Sequence, residues 1–320
     1  MANVRVLSAE AHRWKGHVRV KIGPLLILGE NEETGSVRSY RALRELALTA
    51  ESAGVDSVWI YDHLLYHFDE KEPQGVWEGW TIWAALAEAT SRVELGALVL
   101  CTAFRNPAVL AKMAVTLYEV SDGRVILGLG AGWHKPEFDA FGLEFERKVD
   151  QFEEALEIII PLVREGKADF QGEFHQANNC LMLPAPKRRI PILIAGKQPR
   201  MMRLVAKHAD AWNTAWHGHV ESIEERMDAL RQACAQAGRD PTTLDVTAGV
   251  NIAFSELGAQ PEDHDDPQKF ITGTVNEVAE AMRAYRARDV KHLNALVYPH
   301  TTEGMQLLGQ AAQLARGNRQ

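Results

Sequence analysis

Cysteine is scarce. The 320-residue chain has three (Cys101, Cys180 and Cys234), odd in number and far apart. They fit free thiols in a reducing cytoplasm rather than a disulfide framework. A basic excess is also missing. The formal charge is −8 and the isoelectric point about 5.9, so there is no basic face for nucleic acid or an anionic membrane. No apolar run approaches the roughly 20 residues needed to cross a bilayer. The first residues, MANVRVLSAEAHRWKGH, contain no apolar h-region, so export by the usual signal is not expected. There is no Gly-x-x-x-x-Gly-Lys-Ser/Thr run, and no Gly-x-Gly-x-x-Gly after the first strand. NTPase and Rossmann readings therefore have no support. His217-Gly218-His219 has metal-like spacing but no further ligands at strand ends, and reads as a solvent-facing loop. No metal is expected.

What is present is regular alternation. Apolar residues make up 46% of the chain and charged residues 24%, enough core for one large barrel or two ordinary domains. Eight short apolar strands are expected near Val18–Ile22, Ser57–Ile60, Val93–Leu100, Val125–Leu129, Ile192–Ile194, Ala211–Asn213, Leu244–Ile252 and Leu293–Val297. They are nearly continuous apolar runs, as parallel strands covered by helices should be. The helices between them carry start and stop signals. One has Leu43, Leu46, Ala47 and Ala50 on a single face with Gly54 just past its end. The next places Trp80, Trp83, Ala84 and Ala87 on a stripe. Another opens on Asn106-Pro107, and a late one on the capping box Thr274-Val275-Asn276-Glu277. Eight such repeats without a long polar linker predict one domain, an α/β fold of the (β/α)8 TIM-barrel type.

One stretch breaks the repeat. Residues 131–190 hold a helix, with Phe152, Ala155, Leu156, Ile159 and Val163 on one face. A hairpin follows, pairing Ala168–His175 with Asn179–Leu183. This is expected to be an insertion between strands four and five, lying over the barrel mouth. Leu257–Gln268 is polar and reads as a loop after strand seven.

Chemistry-bearing residues gather where strands end. Trp59-Ile60-Tyr61-Asp62-His63 puts a carboxylate beside an imidazole at the end of strand two. Asp62 can accept a hydrogen bond from a ligand N–H or cap the following turn. His63 can move a proton at physiological pH or be a satisfied rim histidine. Strand three ends Leu98-Val99-Leu100-Cys101-Thr102, and no neighbouring base implies a nucleophilic role for Cys101. Strand four ends Gly128-Leu129-Gly130-Ala131-Gly132-Trp133, where glycines would let a flat ligand lie against bare backbone. Strand five leads into Ala195-Gly196-Lys197-Gln198-Pro199-Arg200. There a helix opens, and free N–H groups at a helix start bind phosphate.

The run SRVELGALVLCTAFRNPAVLAKMAVTLYEVSDGRVILGLGAGWHKPEFDAFG at residues 91–142 resembles the luciferase-like oxidoreductases, which use flavin or deazaflavin coenzyme F420 on a (β/α)8 barrel. The resemblance extends over nearly the whole chain and is strongest across 53–142 and 192–213. It implies that Asp62 and His63 contact the cofactor ring. Through the match of Gly96 and Phe104, it implies a bulge with a non-prolyl cis peptide at Leu98–Val99. The ring would rest on Leu98, Val99, Cys101 and Gly130, and the phosphate on Ala195, Gly196, Lys197 and Gln198. Lys197 and Arg200 would face the acidic tail of F420. In the sugar-phosphate-oxidising branch a glutamate proton donor stands where this chain has Trp133. His63, His134 and Glu137 are left as acid–base candidates, and Trp133 either stacks on substrate or ring or packs a lid. The catalytic set expected is thus Asp62, His63, Trp133 and Glu137.

The resulting reading is a cytoplasmic, homodimeric, F420-dependent oxidoreductase acting on a small organic substrate. The alternative cofactor is FMN, in an oxygen-using monooxygenase, and the non-enzymatic alternative is a cofactor-binding protein without turnover. A phosphate-barrel lyase or isomerase would need a Schiff-base lysine or paired carboxylates at strand ends, and none of the eight strands supplies an interior lysine. Trp77, Trp80, Trp133 and Phe138 are compatible with an apolar or aromatic substrate and equally with packing.

Overall fold

A computed structural model describes residues 19–31, 35–69, 71–258 and 266–317. Eight strands line the barrel: β1 (Lys21–Pro24), β2 (Ser57–Ile60), β3 (Glu94–Ala97), β4 (Val125–Gly130), β5 (Ile192–Ala195), β6 (Ala211–His217), β7 (Asp245–Phe254) and β8 (Val290–Tyr298). All neighbours are parallel, in the order β1-β8-β7-β6-β5-β4-β3-β2. A parallel bridge between Leu25 and Trp59 closes the ring, with the Leu26 N–H donating to the Trp59 carbonyl at 2.8 Å. The (β/α)8 barrel expected from the alternation is therefore present. The first expected strand began on Val18, which lies outside the described residues.

The helices are α1 (Tyr40–Ser52), α2 (Gly79–Ala89), α3 (Pro107–Val120), α4 (Lys135–Phe141), α5 (Lys148–Glu165), α6 (Pro199–His208), α7 (Glu224–Gln236), α8 (Val275–Ala287) and α9 (Thr302–Ala315). None of the described helices is long and apolar enough to cross a membrane. The expected caps form. Asn106 Oδ1 accepts the N–H groups of Ala108 and Val109 at 3.0 and 3.2 Å, ahead of Pro107. Thr274 and Glu277 make the reciprocal capping box of α8. On α2 the buried stripe is Ile82, Trp83, Leu86 and Ala87, with Trp80 and Ala84 only partly covered. The expected stripe is thus turned about one position, and the partly covered Trp80 meets Trp83 edge-on at 5.3 Å.

Trp59 fills the barrel interior with Leu25, Ile126, Leu193 and Ala211, and Tyr61, Leu98 and Val99 pack on top of this plug. Burying each such apolar side chain is worth about 1.5–3 kcal/mol. The indole N–H of Trp59 donates to Ser57 Oγ at 2.7 Å, and that oxygen meets His292 Nε2 at 2.6 Å. Gly96 is required here, since a Cβ would lie 2.1 Å from the Trp59 ring. The amino ends of the strands are fastened by two carboxylates, one buried and one half-buried. Asp56 takes the Ile22 N–H at 2.9 Å together with Arg19 and Arg316, and Asp210 takes the Ile192 N–H at 2.9 Å together with Arg164 and Arg189.

The segment 131–190 is not one insertion over the mouth. Helix α5 belongs to the barrel's outer ring, packed between α3 and α6. The hairpin is Lys167–Gln171 against Gln176–Leu181, and it lies along α5. Its turn is held there because the Glu154 carboxylate accepts the N–H groups of Glu173, Phe174 and His175 at 2.7–2.9 Å. Only the stretch from Ala131 into α4 follows directly from the end of β4. Of the expected loop after strand seven, residues 259–265 lie outside the described residues.

Candidate active site

Beyond Ala97 strand three does not run straight on. The Leu98–Val99 peptide is cis, and Leu100–Cys101 then pairs with Leu129 and Gly130 as a separate short strand. The glycines of β4 make room for this bulge. A Cβ on Gly128 would lie 1.8 Å from the Ala97 carbonyl oxygen, and one on Gly130 would lie 2.6 Å from Val99 Cγ2. Bare backbone was expected to admit a ligand; it admits the neighbouring strand. The surface left for a ligand is the half-buried pair Leu98 and Val99, sitting on the Trp59 plug.

Asp62 holds the bulge from the side. Its carboxylate accepts the Cys101 N–H at 3.0 Å and a two-pronged contact from Arg105, at 2.6 and 3.0 Å. Arg105 also meets Glu78, the N-cap of α2, whose carboxylate accepts the Trp80 and Thr81 N–H groups at 3.0 and 2.7 Å. Burial raises the Asp62 carboxyl above its ordinary value and the Arg105 guanidinium opposes that shift. Of the two options left open for Asp62, ligand acceptor or cap of the following turn, the bonds show neither: the carboxylate is taken up by Cys101 and Arg105 across the site. Cys101 is buried, and burial pushes its thiol up, which leaves it protonated and unreactive.

His63, the next residue, points to a different group. Its Nδ1 lies 3.0 and 3.1 Å from the two oxygens of Glu137, a carboxylate only 1% exposed at the first turn of α4. The Leu64 N–H also donates to Glu137, at 2.9 Å. A carboxylate against Nδ1 fixes the proton there and leaves Nε2 to exchange one. Nε2 is bonded to none of the described residues. His134 is different: its Nε2 accepts the His67 N–H at 2.9 Å, and burial lowers its affinity for a second proton, so it stays neutral.

Around this pair lies an aromatic wall. The loop after β2 folds back through a Tyr66–Gln74 bridge, with Tyr66 4.6 Å from the His63 ring, and Tyr61, whose hydroxyl accepts the Leu28 and Gly29 N–H groups, lies 5.8 Å from it. From the other side, Trp133 stands 5.5 Å from His63 and 5.0 Å from His134. Phe68 faces Trp133 at 6.4 Å with a 28° interplanar angle. Trp133 is 59% exposed and Phe68 39%. Phe138 is instead fully buried between Phe104 and Phe145, and Trp77 donates its indole N–H to the Arg38 carbonyl at 2.7 Å.

Strand β5 runs beside β4, with Ile194 opposite Leu129, so Ala195 and Gly196 emerge next to Gly130. Helix α6 begins at Pro199, and its N-cap, Gln198, makes no side-chain cap hydrogen bond. Gly196 lets the helix approach, since a Cβ there would meet Met201 Cβ at 2.6 Å, and its carbonyl accepts the Trp212 indole N–H at 2.9 Å. Lys197 and Gln198 are exposed. Arg200 is not available to a ligand's acidic tail, because it is paired with Asp150 and Glu153 of α5.

The strand ends thus bring Asp62, His63, Leu98, Val99, Cys101, Gly130, Trp133, Glu137 and the Ala195–Gln198 turn to one end of the barrel. Tyr61, Tyr66, Phe68 and Arg105 join them and were not singled out from sequence. His217, the last residue of β6, is buried rather than solvent-facing, bonded to Thr214 Oγ1 at 2.9 Å and Ser222 Oγ at 2.7 Å. Among the described residues no group of three or more His, Cys, Asp or Glu side chains could hold a metal ion.

The family model described as luciferase-like monooxygenase matches residues 21–316. The chain belongs to that family. Within it, this luciferase-like chain is 33% identical over 226 residues to an F420-dependent glucose-6-phosphate dehydrogenase of Kineococcus radiotolerans, covering 68% of the chain and 65% of the relative. It is 32% identical over 194 residues to the pyrimidine monooxygenase RutA of Escherichia coli, covering 58% of the chain and 48% of the relative. The matched segments therefore span about two thirds and half of those relatives. A solved F420-dependent secondary alcohol dehydrogenase, in complex with an F420-acetone adduct, superposes with a TM-score of 0.77 at 18% identity, over 93% of this chain and 99% of that one. That likeness bears on the fold.

Proposed function

We propose that this luciferase-like protein is an F420-dependent oxidoreductase that moves a hydride between deazaflavin and a small organic substrate. The observation that carries the reading is the convergence of three features on adjacent strand ends. These are the apolar Leu98–Val99 shelf, the uncapped start of α6 two strands along, and a histidine whose Nδ1 is fixed by a buried carboxylate. The similarity to an F420-dependent dehydrogenase supports the choice of cofactor.

The residues fit such a group. Leu98 and Val99 offer an apolar face to a flat ring, and the α6 N–H groups with Lys197 offer donors to a phosphate. When bound, the deazaflavin supplies the hydride chemistry. The protein's part is to hold, orient and exchange a proton. Asp62 and Arg105 keep the shelf in place by fixing Cys101. Glu137 holds the His63 imidazole in one tautomer, so Nε2 can take or give the proton that accompanies hydride transfer. Trp133 stands edge-on to the imidazole, 5.5 Å away, on the open side of the site. The cytoplasmic and homodimeric setting belongs to the same proposal. Three unpaired cysteines support the first, and exposed Val109 and Val120 on α3 support an apolar contact between copies.

The second reading, an FMN-dependent monooxygenase, has the similarity to pyrimidine monooxygenase in its favour. Anaerobic assays separate the two. Bleaching of F420 by a substrate in the absence of oxygen is expected. Oxygen consumption with reduced FMN, and no redox change of F420 with any substrate tried, would replace the first reading by the second.

A further inference from the structure

We infer that the substrate presented to His63 is an uncharged molecule with a flat aromatic ring beside its reacting carbon, an aryl carbinol or the matching ketone, and not a sugar phosphate. This rests on the proposed oxidoreductase reading and adds the substrate class to it.

Two large aromatic side chains are left in solvent at the same place. Phe68 comes from the loop after β2 and Trp133 from the turn after β4, yet their rings lie 6.4 Å apart and near parallel, both close to His134. Single exposed aromatics are ordinary; two that converge from separate loops beside a proton-exchanging histidine form a ligand-facing wall. A flat ring laid against them would cover surface the protein alone leaves wet.

Charge decides against an anion. The group behind His63 is the Glu137 carboxylate, which would repel a phosphate. None of the side chains in the ring cluster is lysine or arginine. Two of the nearby cations are engaged, Arg105 on Asp62 and Glu78, and Lys135 on Asp139 at 2.7 Å, and exposed Lys197 is assigned to the cofactor phosphate. His134 is held neutral by its bond from the His67 N–H. A phosphorylated substrate would leave its dianion without a counter-charge.

The reaction class balances with these parts. Oxidised deazaflavin, when held by the residues described, would take up the electron pair of the carbinol C–H bond as hydride. The hydroxyl proton passes to His63 Nε2 and the carbon becomes a ketone. The reverse uses the same atoms.

The test has two arms on the full chain. Binding of F420 is followed by its own fluorescence. Binding of acetophenone and of glucose 6-phosphate is followed by tryptophan quenching, in wild type, Trp133→Leu and Phe68→Leu. Acetophenone should quench wild type saturably. Each substitution should weaken it by about two- to tenfold, the range of one aromatic contact, with F420 affinity unchanged. With F420 bound, 1-phenylethanol should be oxidised and the Phe68→Leu defect should appear in KM. Turnover of glucose 6-phosphate in preference to the aryl pair, or aryl binding indifferent to both substitutions, overturns the substrate class while intact F420 binding leaves the cofactor reading standing. Failure of F420 to bind wild type removes both.

Discussion

Arg105→Met tests whether the shelf is held as described. In the folded protein the Asp62 side chain is fully buried and accepts three hydrogen bonds, two of them from Arg105. Removing the guanidinium leaves a buried carboxylate with one N–H donor. Breaking a buried pair from one side typically costs about 3–5 kcal/mol. Glu78, 40% exposed, can turn to water and adds little to this loss. The cost should also depend on pH. Burial already raises the Asp62 carboxyl, and without Arg105 it rises further. A carboxyl with a folded pKa above its unfolded value binds its proton first in the folded state. The penalty is therefore full at neutral and alkaline pH and shrinks as pH falls through the raised pKa. Chemical denaturation of wild type and variant at about pH 8 and pH 5, the upper pH lying well above ordinary carboxyl values, measures both effects. Asp62→Asn combined with Arg105→Met should recover part of the loss, because no buried charge remains. A penalty below about 1 kcal/mol at the higher pH, which is the scale of an exposed pair, or one that grows in acid, would refute this account of the anchor.

His63→Asn should lower turnover by about 10²–10⁴-fold, and Glu137→Gln by less while shifting the pH–rate profile, with F420 affinity kept in both; steady-state kinetics across pH would read this. His217 is held well below its ordinary value, at about 4, by burial. The folded state resists a proton that the unfolded state accepts, so this contribution is complete above the unfolded pKa and lost as pH falls towards 4. Replacement by Asn should flatten the stability–pH curve across that window, by up to about 3 kcal/mol, in pH-dependent denaturation. Gly128→Ala places a Cβ 1.8 Å from the Ala97 carbonyl oxygen, backbone against backbone. It should cost about 3 kcal/mol or more or prevent folding, visible in thermal melts.

The barrel was legible because its information is local. Ser57–Ile60 was located to the residue, and Val125–Leu129 and Ile192–Ile194 each fell one residue short of the strand's end. Such strands are unbroken apolar runs, and caps such as Asn106-Pro107 are written in adjacent letters. The break in strand three was not legible from periodicity. Val93–Leu100 is apolar throughout, and what divides it is contact with Gly128 and Gly130 thirty residues on. The cis Leu98–Val99 peptide came from the family resemblance alone. The site was legible in its members and not in their pairing. Asp62 and His63 are neighbours that turn to opposite partners, Arg105 and Glu137, the second 74 positions away. Arg105 had one weak signal, a lone charge between Phe104 and the Asn106 cap. Phe68 and Tyr66 had none, because the irregular loop carrying them has no period to read.

Soaking F420 into crystals of the protein tests the central claim most directly. The account predicts the phosphate against the backbone N–H groups of the Ala195–Gln198 turn and α6, the ring lying on Leu98 and Val99, and His63 Nε2 facing its edge. Density for the phosphate at any other strand end, or a ring that leaves the Leu98–Val99 shelf uncovered, would contradict it.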